Sequence, residues 1–149
     1  MLLVATTSAQ DAHPNHSTSS TLSTMSRTFP YELDFRFAPL WAPFLLAPGR
    51  QGVTLTDQGG LVARYGFLVV DTPLTNVADA HITGPYRWWT AVGPRLSLAD
   101  DGLTFGTTNH GGVCVHFSEP VHGVIGSRNH SALTITVADR EGLLRAITA

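Results

Sequence analysis

From Gly52 onward apolar and polar residues alternate with a period of two, and turn residues recur at short spacing. That pattern predicts antiparallel strands joined by tight turns. Val53 and Leu55 alternate with threonines, and Asp57-Gln58-Gly59-Gly60 turns the chain into Leu61-Val62-Ala63-Arg64-Tyr65. Gly66 is expected to bend this strand, which Phe67-Leu68-Val69-Val70 continues until Pro73, lacking an amide donor, ends central pairing. Arg95-Leu96-Ser97-Leu98 and Leu103-Thr104-Phe105 flank Asp101-Gly102, a dipeptide suited to the positive φ of a hairpin turn. Further strands are predicted at Val113–Phe117 and Ala132–Val137. In the first, Val113, Val115 and Phe117 share the inward face and Cys114 and His116 the other.

The period changes at the end of the chain. Asp139 is placed to cap a helix over Arg140–Ile147, in which Leu143 and Ile147 share a face with Leu144 beside them. Glu141 in its first turn and Arg145 in its last suit the helix dipole. So short a helix is not stable alone in water, so it is expected to dock on the sheet and close its open end. The predicted fold is mainly β: a bent antiparallel sheet or partly open barrel of about seven strands, capped by a C-terminal helix.

Composition narrows the function. The chain has 149 residues, 43% of them hydrophobic, which suffices for one domain with a real core. The formal net charge of −2 offers no field for phosphate backbones, so nucleic acid is not an expected partner. All nine basic residues are arginines, which excludes Schiff-base chemistry and a P-loop lysine. The single Cys114 cannot form an internal disulfide and sits in an apolar run, which predicts a buried, inert thiol and a reducing cytoplasm.

Residues 1–25 are Ser/Thr-rich with no basic residue, and their apolar run, Met1–Ala5, is too short for a signal-peptide core. Ordering a backbone costs roughly 1–2 kcal/mol per residue, more than such sequence recovers by burial. A disordered extension over 1–25 and a single β domain over 26–149 are therefore expected, with Met25 a second candidate start.

The most apolar segment, Phe37–Pro48, is interrupted by prolines and falls short of the roughly 20 residues that span a bilayer. No transmembrane segment is expected, and peripheral membrane contact stays open. Trp41 and Phe44 either lead a wedge that touches a partner or membrane, or pack over one end of the core. The aromatic knot Tyr86-Arg87-Trp88-Trp89 is the other candidate surface. On a strand its two indoles face opposite sides, so either one is exposed beside Arg87, or Trp88 enters the barrel and Trp89 lies under Trp41–Phe44.

The body of the chain also carries His81, His110, His116, His122 and His130. The even spacing of His110, His116 and His122 is not a recognised zinc signature, so only a fold that gathers them, completed by Asp100, Asp101 or Glu119, would make a metal site. No G-x-S-x-G elbow is present, and Asp100-Asp101 are explained by a turn. Cys114 with His116 is a conceivable thiol–base pair, though apolar neighbours argue against an activated thiolate. Asn129-His130-Ser131 matches a glycosylation sequon, which has meaning only on export.

Three segments carry a resemblance: Val53-Thr54-Leu55-Thr56-Asp57, Leu61-Val62-Ala63-Arg64-Tyr65-Gly66-Phe67-Leu68 and Thr72-Pro73-Leu74-Thr75-Asn76-Val77. Together they resemble the hairpin and following strand of bacterial pleckstrin-homology-like domains, and the region after Met25 is similar to uncharacterised actinobacterial proteins. The resemblance implies a strongly bent sheet or sandwich closed by a C-terminal helix and is silent on activity. The basic loop that eukaryotic relatives use for phosphoinositides is reduced to Arg50, so headgroup binding is not carried over.

Two functions stand as expectations. The first is a non-catalytic interaction or ligand-binding module without a cofactor, which takes a protein or small apolar ligand through Trp41, Phe44, Arg87, Trp88 and Trp89. The second is a small metal-dependent enzyme built on His110, His116 and His122.

Overall fold

Alternation of apolar residues is realised as two sheets that face one another in this computed structural model, which describes residues 25–46, 50–97 and 101–149. The expected extension over 1–25 lies, except for Met25, outside the described residues, as does Asp100. The first sheet runs in chain order: β1 (Arg27–Phe29), β2 (Gly52–Leu55), β3 (Gly60–Tyr65) and β4 (Leu68–Pro73), each antiparallel to the next. Phe29, Val53, Leu55, Leu61, Ala63, Tyr65, Leu68 and Val70 are buried, and the residues between them are more exposed, as a half-buried strand requires.

Gly66 does more than bend a strand. Tyr65 pairs with Leu68, so Gly66-Phe67 is a two-residue hairpin turn with Gly66 at φ 62, and the expected continuous strand is two. Phe67 is left 78% exposed at the tip.

The second sheet consists of β5 (Val77–Thr83), β6 (Gly93–Leu96), β7 (Gly102–Gly106), β8 (Gly112–His122) and β9 (Asn129–Ile135), in the order β5-β8-β9-β7-β6. β6 and β7 pair antiparallel, with Leu96 opposite Leu103, but Asp101-Gly102 is not the expected turn dipeptide: Asp101 has φ 53, whereas Gly102 is already in β7, and residues 98–100 lie outside the described residues. Nine strands among the described residues replace the expected seven, and they do not close into a barrel. One pair, β7 with β9, is parallel.

That parallel pair arises because residues 107–111 carry the chain from β7 across the end of β9 to β8, on its far side. The span is two strand spacings, about 10 Å, within reach of five residues. Thr107 at the start of this buried crossing is satisfied: its N–H donates to Thr136 Oγ1 at 2.8 Å, and its hydroxyl bonds the Glu32 carbonyl.

Side chains from both sheets form one core, with Phe105, Val113, Val115, Leu133 and Ile135 facing Val53, Leu61, Tyr65 and Val70. The sheets are also tied by the backbone where Glu32 N–H bonds Thr136 O at 2.9 Å and Ala138 N–H bonds Pro30 O at 3.0 Å. The C-terminal helix is as predicted. It spans Arg140–Thr148, Asp139 Oδ1 accepts from Gly142 N–H at 2.9 Å, and Leu143 is fully buried. It packs against β5 and β8.

Between β1 and β2 a 3-10 turn, Phe35–Phe37, leads into helix α1 (Ala38–Leu45), with Pro39 in its first turn. A second helix, α2 (Trp88–Ala91), interrupts the second sheet between β5 and β6, so the C-terminal helix is α3. No helix among the described residues is long and apolar enough to cross a membrane.

Candidate functional site

Pro85 cannot donate to a ladder, so β5 stops before Tyr86-Arg87-Trp88-Trp89 and the aromatic knot is a helical turn instead of the expected strand. Thr90 closes that turn: both its N–H, at 3.0 Å, and its hydroxyl, at 2.8 Å, donate to Arg87 O. Strand parity therefore does not apply, and neither indole enters the core. Trp88 is 46% and Trp89 49% exposed.

The two indoles belong to a longer strip. Trp88 stacks on Phe37 with centroids 6.1 Å apart and an interplanar angle of 20°, and meets Trp89 edge to face at 5.9 Å. The Arg87 guanidinium lies over the Trp89 ring at 5.4 Å and that of Arg36 over Phe37 at 5.3 Å. Such contacts hold large side chains in place at little entropic cost, because the ring has few rotatable bonds. Among the described residues no carboxylate pairs with Arg87.

Trp41 does not join this strip. It is 5% exposed and donates its indole N–H to Asp34 O at 2.9 Å, so it supports the fold. Phe44 is half-buried between Tyr65 and Phe67, with centroids at 5.2 and 5.7 Å. It lines a separate apolar groove of about 510 Å³ with Leu68, Pro94, Leu96 and Ile125. Over its described residues, 37–46, the apolar segment thus mainly packs over the core, and Ala47 and Pro48 lie outside the described residues.

The histidine trio expected as a metal alternative is not gathered. His110, His116 and His122 lie along and just before β8, where six residues of extended chain cover roughly 20 Å. His110 sits with Nδ1 3.2 Å from Glu32 Oε1, His122 pairs with Asn129, and His130 is buried with Nδ1 3.3 Å from Asp101 O. Asp101 stands just before β7 at φ 53. Glu119 bonds Asn76 through its own backbone, N–H to Oδ1 at 2.8 Å and O from Nδ2 at 2.9 Å.

His116 instead meets Cys114, its neighbour on the same strand face, and His81, which sequence spacing did not place beside it. Its Nε2 is 3.6 Å from Cys114 Sγ, and its ring lies beside that of His81. Cys114 is half-buried on the outer face of β8 and not the buried thiol its apolar neighbours suggested, because those neighbours point the other way. Nearby Tyr86 is held up to about 12 by burial, with Cys114 adding to the effect and Arg140 opposing it.

A charged network ties the start of the domain to the β7–β8 crossing and α3. Arg140 donates to Glu32 Oε2 at 3.0 Å, and Arg36 pairs with Asp34 at 2.8 Å. The Arg36 hydrogen bonds and charge, helped by Thr108 and opposed by partial burial, hold the Asp34 carboxyl at about 2, below its ordinary 3.8. A carboxyl that is more acidic in the folded state contributes stability above its ordinary pKa and loses it as pH falls toward the folded value. Asp34→Asn should therefore flatten the loss of stability between about pH 4 and pH 2, read from urea midpoints across that range.

No protein-family model, curated protein or solved structure matches the chain significantly.

Proposed function

We propose that the chain is a non-catalytic interaction module of pleckstrin-homology-like, actinobacterial type, which binds a protein partner through the strip Arg36–Phe37–Trp88–Trp89–Arg87. The observation that carries this reading is the pair of half-exposed indoles held by Phe37 and Arg87 on the outer surface. Tryptophan and arginine dominate binding energy at interfaces, and a small apolar ligand would instead call for an enclosing pocket. The partner surface suited to the strip offers an apolar side chain to the indoles and a carboxylate to Arg87. The first two motif segments fall on β2, β3 and the start of β4, which is consistent with the pleckstrin-homology-like hairpin, whereas the third, expected as a strand, is the end of β4, a 3-10 turn and the first residue of β5. A reducing cytoplasm is the setting inferred from the lone Cys114.

Affinity capture from cells, followed by titration with the purified captured protein, tests the proposal. Trp88→Ala or Trp89→Ala should weaken that complex by about 30-fold, corresponding to about 2 kcal/mol. Phe67→Ala, on the separate groove, should leave it unchanged. Equal affinity in all variants removes the strip from the function, and binding to anionic vesicles without any protein partner moves the reading to a membrane surface.

A further inference from the structure

The outer face of the β5–β8 pair carries Asp79 and His81 on one strand and Cys114 and His116 on the other, with Asp79 opposite His116 and His81 opposite Cys114. A bulge creates this arrangement. Val77 pairs with Phe117, yet Asp79 already pairs with His116, so two residues of β5 advance against one of β8. Val77 thus remains against the core, while Asp79 and His81 are turned to the outer face, which strict alternation from Val77 would have denied them.

One ligand atom from each of His81, Cys114 and His116 lies within 4.8 Å of the other two. Around a tetrahedral zinc ion, with bonds of about 2.3 Å to sulfur and about 2.0 Å to nitrogen, the sulfur–nitrogen edge is about 3.6 Å. Cys114 Sγ and His116 Nε2 are already 3.6 Å apart. Two imidazoles sharing such an ion have ring centroids about 5 Å apart by the same geometry. The rings of His81 and His116 are 5.6 Å apart at an interplanar angle of 15°. Behind His81, Asp79 Oδ2 lies 3.3 Å from Nδ1 and fixes that nitrogen as a donor, which leaves Nε2 for a ligand. A carboxylate behind a histidine is the usual outer support of a metal-ligating imidazole.

We propose that His81, Cys114 and His116 bind one divalent ion of the zinc class, with Asp79 orienting His81. One thiolate and two imidazoles suit zinc and exclude magnesium or calcium, which take oxygen ligands. Binding forms the metal–sulfur bond and releases the Cys114 thiol proton to solvent, so affinity rises with pH. His81 is on the exposed side, so the fourth position faces solvent. The site is separate from the aromatic strip and stands or falls without it.

Chelator-treated full-length protein titrated with Co²⁺ provides the test. A thiolate-to-cobalt charge-transfer band saturating at one equivalent and displaced by Zn²⁺ is expected. Cys114→Ser should abolish that band, His81→Ala should weaken binding by more than about 100-fold, and Asp79→Asn by about tenfold. His122→Ala should change nothing, and unchanged far-UV circular dichroism of the His81 variant separates ligand loss from misfolding. Absence of the band in the wild type, or unchanged affinity in a folded His81→Ala protein, overturns the proposal.

Discussion

Gly106→Ala should destabilise the protein by about 3 kcal/mol, near the upper end of what overpacking a filled interior usually costs. Gly106 ends β7, is buried, and faces the backbone of α2, so that a Cβ there would overlap the Ala91 carbonyl and press on Val92. The obstacle is main chain, which cannot rotate away as a side-chain tip would. Relief requires α2 to move outward, and Trp88 and Trp89 travel with it. The variant should therefore show a lowered urea midpoint together with altered near-UV tryptophan circular dichroism. Gly59→Ala is the comparison. Gly59 has φ 78 but open space around it, so only backbone strain of about 1 kcal/mol applies and the indole signal should stay as it is. Equal effects at the two positions would mean that the close approach of Gly106 to Ala91 does not matter.

The same contact marks the limit of what the sequence discloses. In β8 the alternation of Val113, Val115 and Phe117 with Cys114 and His116 is local, and both faces are legible from the residues themselves. Asp139 and Leu143 likewise announce α3, because cap and apolar face lie within one stretch of chain. The aromatic strip is different. Arg87, Trp88 and Trp89 stand out by composition, but their helical turn depends on Pro85 ending β5 and on Gly106, fifteen or more residues later, leaving room for Ala91. Phe37 joins the strip from before β2, a contact that no spacing rule reports.

The histidine–cysteine face fails to show for a related reason. The grouping of His81 with Cys114 requires both the β5–β8 register and the bulge after Val77, and a bulge inverts the parity on which strand reading relies. Even spacing drew attention to His110, His116 and His122, whereas a strand carries evenly spaced residues apart. The parallel β7–β9 pair is equally non-local, since nothing within residues 107–111 says which strand they cross.

Tyr65→Ala should cost about 3–5 kcal/mol, the range for emptying a buried aromatic site. Tyr65 is fully buried where the sheets meet, with Tyr31 edge-on at 5.6 Å, Phe44 at 5.2 Å and Phe105 stacked at 5.3 Å. Its hydroxyl donates to Gly106 O at 2.8 Å, so one residue of the first sheet holds a main-chain carbonyl of the second. Tyr65→Phe separates the two contributions, because it keeps the ring contacts and removes only the hydrogen bond. Its cost should be about 1 kcal/mol, mainly from the carbonyl left with one partner fewer. The pair of variants also has a pH signature. Burial raises the Tyr65 phenol well above its ordinary 10.0, with Arg95 partly opposing, so the folded state keeps a proton that the unfolded chain gives up. Stability linked to this group is complete below about pH 10 and declines as pH rises further. Tyr65→Phe should therefore narrow the gap to wild type as urea midpoints are followed from pH 8 to pH 11. A gap that is constant with pH would mean that the phenol is not held protonated, and a Tyr65→Phe cost equal to that of Tyr65→Ala would mean that the hydroxyl, not the ring, joins the two sheets.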